Sequence, residues 1–240
     1  MKTKELMKPL FLLVLGLVCA TSQLRAEDGE EGWSLSVGVD AVSGYWWQGM
    51  KLADASLQPS VSFDYARGEV GLSMGAWASK SVSGDQYDEL DLMVEATWRR
   101  FTFSVIDYYD FSQSFAPYNE GHSLDVGLSY TFSESLPLTL SAHALVLGNR
   151  YGDDVPTYVE LSYPFSIWEL DFNAVAGAVP MKSNYYDTSG INFVNLGLSA
   201  GHEFEVGSFV FPLTVQYNYN PEAGEHFFGA GIGCYFSVGL

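Results

Sequence analysis

The sequence predicts an all-β protein: a single antiparallel transmembrane β-barrel of about 12 strands, with short periplasmic turns and longer extracellular loops. Three observations predict it. Segments of about ten residues alternate apolar and polar side chains along most of the chain. The connections between them are alternately short and long. Only 17% of the 240 residues are charged, against roughly 25% in soluble domains. With 15 Tyr, 16 Phe and 24 Gly beside 9 Pro, the composition suits strands joined by tight turns.

Residues 1–26 read as a cleaved signal peptide. Lys2, Lys4 and Lys8 form a basic start, Leu10 to Ala20 an apolar run, and Ala20 or Ala26 offers the small residue before the cut. The run is too short to span a bilayer, and Gly16 and Val18 ahead of Cys19 fit a lipidation site poorly. Cleavage after Ala26 removes four of 11 bases and one of 29 acids, so 7 bases and 28 acids remain, a net charge of −21. Cys234 is then the only cysteine, and no intramolecular disulfide can hold the exported domain, residues 27–240. Such acidity argues against nucleic acid as a partner.

The strands follow in order. The first, Trp33 to Ser43, sets Trp33, Leu35, Val37 and Val39 against Ser34, Ser36, Gly38 and Asp40. The second runs from Leu57 to Tyr65. The third places Val70, Leu72, Met74, Ala76 and Ala78 on one face and Gly71, Ser73, Gly75, Trp77 and Ser79 on the other. The fourth continues with Leu90, Leu92, Val94, Ala96 and Trp98 against Glu89, Asp91, Met93, Glu95 and Thr97. Eight more follow: Phe101 to Tyr108, His122 to Phe132, Leu138 to Leu147, Thr157 to Phe165, Trp168 to Val179, Asn192 to Phe204, Phe209 to Tyr219 and His226 to Leu240. Pro164 and Pro212 weaken the pairing around them. No repeat or linker divides the series, so one domain is expected.

Connections after the even-numbered strands are short, as at Arg67, Arg99-Arg100 and Ser166-Ile167. Those after odd-numbered strands are longer, as at Gly44 to Ser56, Tyr109 to Gly121 and Pro180 to Ile191. This asymmetry is that of outer-membrane barrels, which makes the cell outer membrane the expected location. Aromatic residues mark both ends. Trp33, Tyr65, Trp98, Phe101, Phe132, Trp168 and Phe204 gather at the short-turn end, and Tyr45, Trp46, Trp47, Tyr108, Tyr109, Tyr158, Tyr217 and Tyr219 at the other, where they suit an outer girdle and loop bases. Gly233, Phe236, Val238 and Leu240 resemble the carboxy-terminal signal read by the bacterial barrel-assembly machinery. That machinery and outer-membrane lipid are therefore the expected partners.

A closer resemblance lies in Tyr45-Trp46-Trp47-Gln48-Gly49, Asp54, Gln58, Phe63-Asp64-Tyr65, Gly75-Ala76-Trp77-Ala78-Ser79 and Glu89-Leu90-Asp91-Leu92. Across residues 40–95 the chain resembles the TorF family of outer-membrane β-barrel proteins. The family pattern carries Arg where this chain has Gln48. The resemblance implies a fold and a location.

Alternation turns ten carboxylates inward: Asp40, Asp64, Glu89, Asp91, Glu95, Asp125, Glu160, Glu169, Asp171 and Glu203. Arg67, Arg99 and Arg100 fall at periplasmic turns, and Lys51, Lys80, Arg150 and Lys182 at outer loops or their rims. Ten unpaired acids in a dry interior would each cost several kcal/mol, so a hydrated lumen is expected. The first reading is a narrow porin-like channel with an acidic, cation-favouring wall for small solutes, a small cationic solute being the candidate cargo. The alternative is a structural or surface-interaction barrel, in which Tyr45, Trp46 and Trp47 bind a partner or fold inward as a plug. An outer-membrane hydrolase is a third and lesser reading, because His143 points inward near Ser141 and His202 outward with no hydrolase motif around either. Loop acids at Asp85 with Asp88, Asp153-Asp154 and Asp187 read as solvated rather than as Ca²⁺ ligands. No phosphate loop, CxxC pair or dinucleotide fingerprint is present. No catalytic residue, metal or cofactor is expected.

Overall fold

The computed structural model describes residues 31–82, 87–113, 118–148 and 154–240. The leader lies outside them, as do Asp85, Arg150 and Asp153. Fourteen strands occur among the described residues. Twelve close into one antiparallel barrel: β1 (Gly32–Val42), β4 (Ser56–Arg67), β5 (Val70–Ser81), β6 (Glu89–Trp98), β7 (Phe101–Asp110), β8 (His122–Thr131), β9 (Thr139–Leu147), β10 (Thr157–Ile167), β11 (Leu170–Val179), β12 (Asn192–Val206), β13 (Phe209–Asn220) and β14 (Glu225–Gly239). Each pairs with its neighbours in sequence, and β1 meets β14 to close the ring. All twelve expected strands are present. The other two, β2 (Tyr45–Trp47) and β3 (Met50–Ala53), form a separate hairpin inside the first long connection.

Alternation decides which way each wall residue points. Val37, Val61, Met74, Val94, Phe103, Leu128, Leu161, Leu198 and Val215 are exposed, while Ser36, Asp64, Ser73, Thr97, Thr102, Ser129, Ser141 and Ser162 are buried. The apolar face is therefore outermost and the polar face innermost, the inverse of a soluble sandwich. Closing the ring pairs every strand on both sides, which apolar surroundings require of backbone N–H and C=O groups.

Four of the five connections at the short end are two-residue turns, and the fifth, between β8 and β9, runs from Phe132 to Leu138. Gly68, Arg99, Trp168 and Gly207 each open one with positive φ, between 55 and 65°. Arg67 pairs with Val70, Trp98 with Phe101, Ile167 with Leu170 and Val206 with Phe209 across them. A positive φ at the first loop residue matches the right-handed twist of the flanking strands. Trp168 was expected to begin a strand on the lipid face. It sits instead at the tip of a turn, 94% exposed, because Ile167 and Leu170 pair directly and leave Trp168 and Glu169 as the loop. Pro164 stays in register opposite Asn173.

Candidate functional site: inner-face carboxylates under an inward hairpin

The first long connection does not project outward. Gln48 and Gly49 both have positive φ, 47° and 83°, the two-residue turn that lets Trp47 and Met50 pair directly. The hairpin crosses into the barrel mouth and is held on several sides. Tyr45 donates to Glu89 of β6. Tyr186, from the β11–β12 connection, donates to Gln48, and Asn220 Nδ2 of β13 donates to the Gly49 carbonyl at 3.0 Å. Trp46 lies against Phe227, over a position where any side chain on Gly229 would overlap its ring.

Two apolar clusters seat the hairpin. Tyr45 and Ala53 are buried with Trp77 and Met93, with Trp47, Leu52, Tyr87 and Ile106 against them. Across the mouth, Tyr158, Val179, Tyr186 and Val194 receive Met50 and Tyr185. Tyr45, Trp46 and Trp47, expected as an outer girdle and loop bases, are thus internal packing residues. Tyr108 and Tyr158 move inward with them, since Tyr108 shares the phase of Thr102 and Ser104, and Tyr158 that of Glu160 and Ser162. Tyr217 and Tyr219 stay in the outward phase of β13, stacked on His226. At the tip, a Cβ on Gly49 would collide with the Val194 carbonyl, in a φ region that side chains already disfavour. Gly49→Val is expected to release the hairpin without opening the barrel, raising acrylamide quenching of Trp46 and Trp47 fluorescence.

Eight of the ten carboxylates expected on the inner face lie buried or half-buried there, and most of the eight are hydrogen-bonded. Glu89, Asp91, Asp64, Asp125 and Glu160 are buried on the inner face, with Asp40, Glu95 and Glu203 partly so. Ser73 donates to Asp64 at 2.5 Å and Ser62 at 2.7 Å. Tyr158 donates to Glu160 at 2.5 Å and itself accepts from Asn195 at 3.1 Å. Tyr235 donates to Asp40, and His143 Nδ1 to Asp125 at 2.9 Å. The premise of ten unpaired acids is therefore corrected: hydroxyls and one imidazole satisfy most of them. Asp171 is exposed near the short-turn rim, accepting from Ser166 at 2.6 Å. Glu169 is not in the lumen at all, because it belongs to the two-residue turn, where its carbonyl accepts from His202 Nδ1 at 2.7 Å.

Below the hairpin the inner face turns from acidic to hydroxylic. Thr97 faces Thr102 at 3.1 Å, Thr131 faces Thr139 at 2.7 Å, and Ser36 faces Ser237 at 3.1 Å. Every Lys and Arg among the described residues is exposed. Lys51 pairs with Asp54 and Lys80 with Asp88 at the outer rim, while Arg67 pairs with Glu31 and Arg99 with Glu69 at the short-turn end. At Asp88 burial opposes the charge, but the Lys80 ammonium and the Ser81 amide outweigh it and hold the carboxyl below its ordinary range. At Tyr87 burial, then the charge of Glu89 and a hydrogen bond to it, push the phenol well above its own.

The hydrolase candidates are not assembled into a relay. His143 spends Nδ1 on Asp125, and Ser141, two residues away on one face, lies about 7 Å along the strand. Asp88 is committed to Lys80, and Asp187 occupies a left-handed turn position, φ 52°. Among the described residues no group of three or more His, Cys, Asp or Glu is placed to hold a metal ion. Gln58, Asn195 and Asn218 are all buried on the inner face; the sequence offered Gln58 only within the family resemblance and did not single out the two asparagines. Their phase with Ser60 and Asp64, with Gly197 and Ser199, or with Thr214 and Gln216, carried the signal.

No family model and no curated protein matches the sequence. Among solved structures, the chain is similar to an outer-membrane channel from Pseudomonas putida F1, with 11% identity, a TM-score of 0.52, and coverage of 91% of this chain and 100% of that one. The toluene transporter TodX of Pseudomonas putida aligns more loosely, with 8% identity, a TM-score of 0.40, and coverage of 88% and 91%. At these identities the first likeness is one of fold, and the second is too distant to add to it. The chain is a closed twelve-stranded antiparallel β-barrel of the outer-membrane type.

Proposed function

We propose that the protein is a narrow outer-membrane channel for small solutes, with a lumen that favours cations. The observation that carries this reading is the one-sided charge of the interior. Glu89, Asp91, Asp64, Asp125 and Glu160 are buried on the inner face, while each described Lys and Arg is exposed at a rim or turn. Any water-filled barrel needs a polar interior, but only a selective one needs its charges to share a sign. The apolar exterior and closed ring support residence in outer-membrane lipid after removal of residues 1–26, with insertion by the barrel-assembly machinery through β14. Kinship with the TorF family fits the same picture, and we assign no catalytic role.

A second reading has its own support. The hairpin of β2 and β3 packs against both sides of the mouth, as a structural or surface-interaction barrel with a plug would have it. Planar-bilayer recording separates the two. Folded protein in a KCl gradient is expected to show discrete openings with a reversal potential on the K⁺ side. The triple variant Glu89→Gln, Asp91→Asn, Glu95→Gln is expected to lose most of that preference. Absence of discrete conductance, or an anion preference in the unaltered protein, refutes the cation channel.

A further inference from the structure

Asp91 stands out among the inner acids. It is 5% exposed, and its Oδ1 has no hydrogen-bond partner among the described residues. Glu89, Asp64, Glu160, Asp40 and Asp125 each receive a Tyr, Ser or His donor, so the omission at Asp91 is local. An orphaned carboxylate oxygen in a buried site forfeits a charge-assisted hydrogen bond, and a cationic donor from outside the chain restores it.

The neighbours of Asp91 define what that donor is. In the sheet Asp91 lies directly opposite Trp77 on β5 and directly opposite Tyr108 on β7, so an aromatic ring flanks it on each side. The hairpin adds one ring to each flank: Tyr45 packs on Trp77 with centroids 5.3 Å apart, and Trp47 meets Tyr108 edge-on at 5.5 Å. Glu89, one pair along the same face, supplies a second carboxylate and already accepts from Tyr45. A hard inorganic cation needs about six oxygen ligands, and rings in place of oxygens serve it poorly. Carboxylate plus aromatic faces instead suits an organic ammonium, whose N–H groups meet the oxygen and whose C–H groups and charge meet the rings.

We propose that Asp91, Glu89, Trp77, Tyr108, Tyr45 and Trp47 form a recognition site for primary alkylammonium ions in the lumen mouth. The site rests on the channel reading above and names its solute class. The hairpin supplies two of its four rings, so the segment that narrows the mouth also selects what enters.

Isothermal titration of the folded barrel in detergent with n-butylammonium chloride, against NaCl at equal ionic strength, tests this. Saturable binding of butylammonium that NaCl does not compete away is expected. Asp91→Asn and Tyr108→Leu should each weaken it at least about tenfold, the loss of one good ionic or aromatic contact, while Tyr108→Phe keeps the ring and the binding. The heat-dependent gel shift of the folded barrel reports whether each variant is folded, and Asp91→Asn preserves side-chain volume. Equal affinity in unaltered protein and folded Asp91→Asn, or equal displacement by Na⁺, overturns the site. Absent binding with intact K⁺ selectivity removes the site and leaves the channel. Intact binding without conductance removes the channel and leaves the site.

Discussion

Replacing Tyr45–Ala53 with a short Gly-Ser linker is expected to raise single-channel conductance several-fold while the barrel stays folded. The hairpin contributes two rings to the Asp91 region, closes on Val194 and Asn220 across the mouth, and packs through Met50 on the cluster of Tyr158, Val179, Tyr186 and Val194. Without it, those walls face water and the narrowest part of the path becomes the hydroxyl-lined lower half. The barrel does not depend on it. β1 and β4 pair continuously from Gly32 with Ala66 to Val42 with Ser56, so their register is set by eleven residue pairs outside the hairpin. Changing the length of a loop alters its closure entropy by only about 0.6 kcal/mol per doubling. Glu89 loses its Tyr45 donor and gains water. Bilayer recordings of the linker variant and the unaltered protein measure the ratio directly, and an unchanged conductance places the constriction elsewhere.

Val94→Arg is expected to destabilise the folded protein by about 2–4 kcal/mol in a lipid bilayer, the cost of an arginine at the bilayer midplane. Val94 lies at the middle of β6, between Met74 of β5 and Val105 of β7, and is 52% exposed on the apolar face. An exposed valine in a soluble protein would accept arginine at almost no cost. An arginine at an exposed turn, Glu69→Arg, gives up only the exposed pair with Arg99 and leaves the new charge in water, so it is expected to have a small effect on the barrel. Denaturant unfolding in lipid vesicles, read by tryptophan fluorescence, compares the two. Equal stabilities would mean that the apolar face meets something other than lipid.

The twelve strands were legible because a barrel wall repeats one rule, lipid outside and lumen inside, at every second residue. Short and long connections added the vertical direction. The same rule also contained two answers that aromatic content obscured: Tyr108 and Tyr158 sit in the inward phase of their strands, yet rings near strand ends invite a girdle assignment. The hairpin was less legible for a different reason. Period-two patterning describes a strand already in the wall and is silent on whether a loop folds in or out. Gln48-Gly49, bracketed by Trp47 and Met50, was the available turn signal. Asp91 was legible as an inner acid, but its lack of a donor depends on Trp77 and Tyr108 lying opposite it, which requires register. Glu169 failed by one residue, because Ile167 pairs with Leu170 and leaves Trp168 and Glu169 in the turn.

The seam between β1 and β14 has a consequence for the order of events in assembly. It joins Ser34 with Gly239 and Val42 with Gly231, and its Ser36–Ser237 hydrogen bond spans 201 positions of chain. Every other pairing in the ring is between wall strands that follow one another along the chain, with the β2–β3 hairpin inserted only between β1 and β4, so eleven of the twelve interfaces can form as local hairpins zip together. The last cannot form until β14 has arrived. Until then the sheet carries two raw edges, each a template for another chain. Contacts of such sequence separation also form slowly. The vulnerable species is therefore a nearly complete curved sheet rather than an unfolded chain, and protection of its β1 edge governs how much polypeptide becomes barrel rather than aggregate.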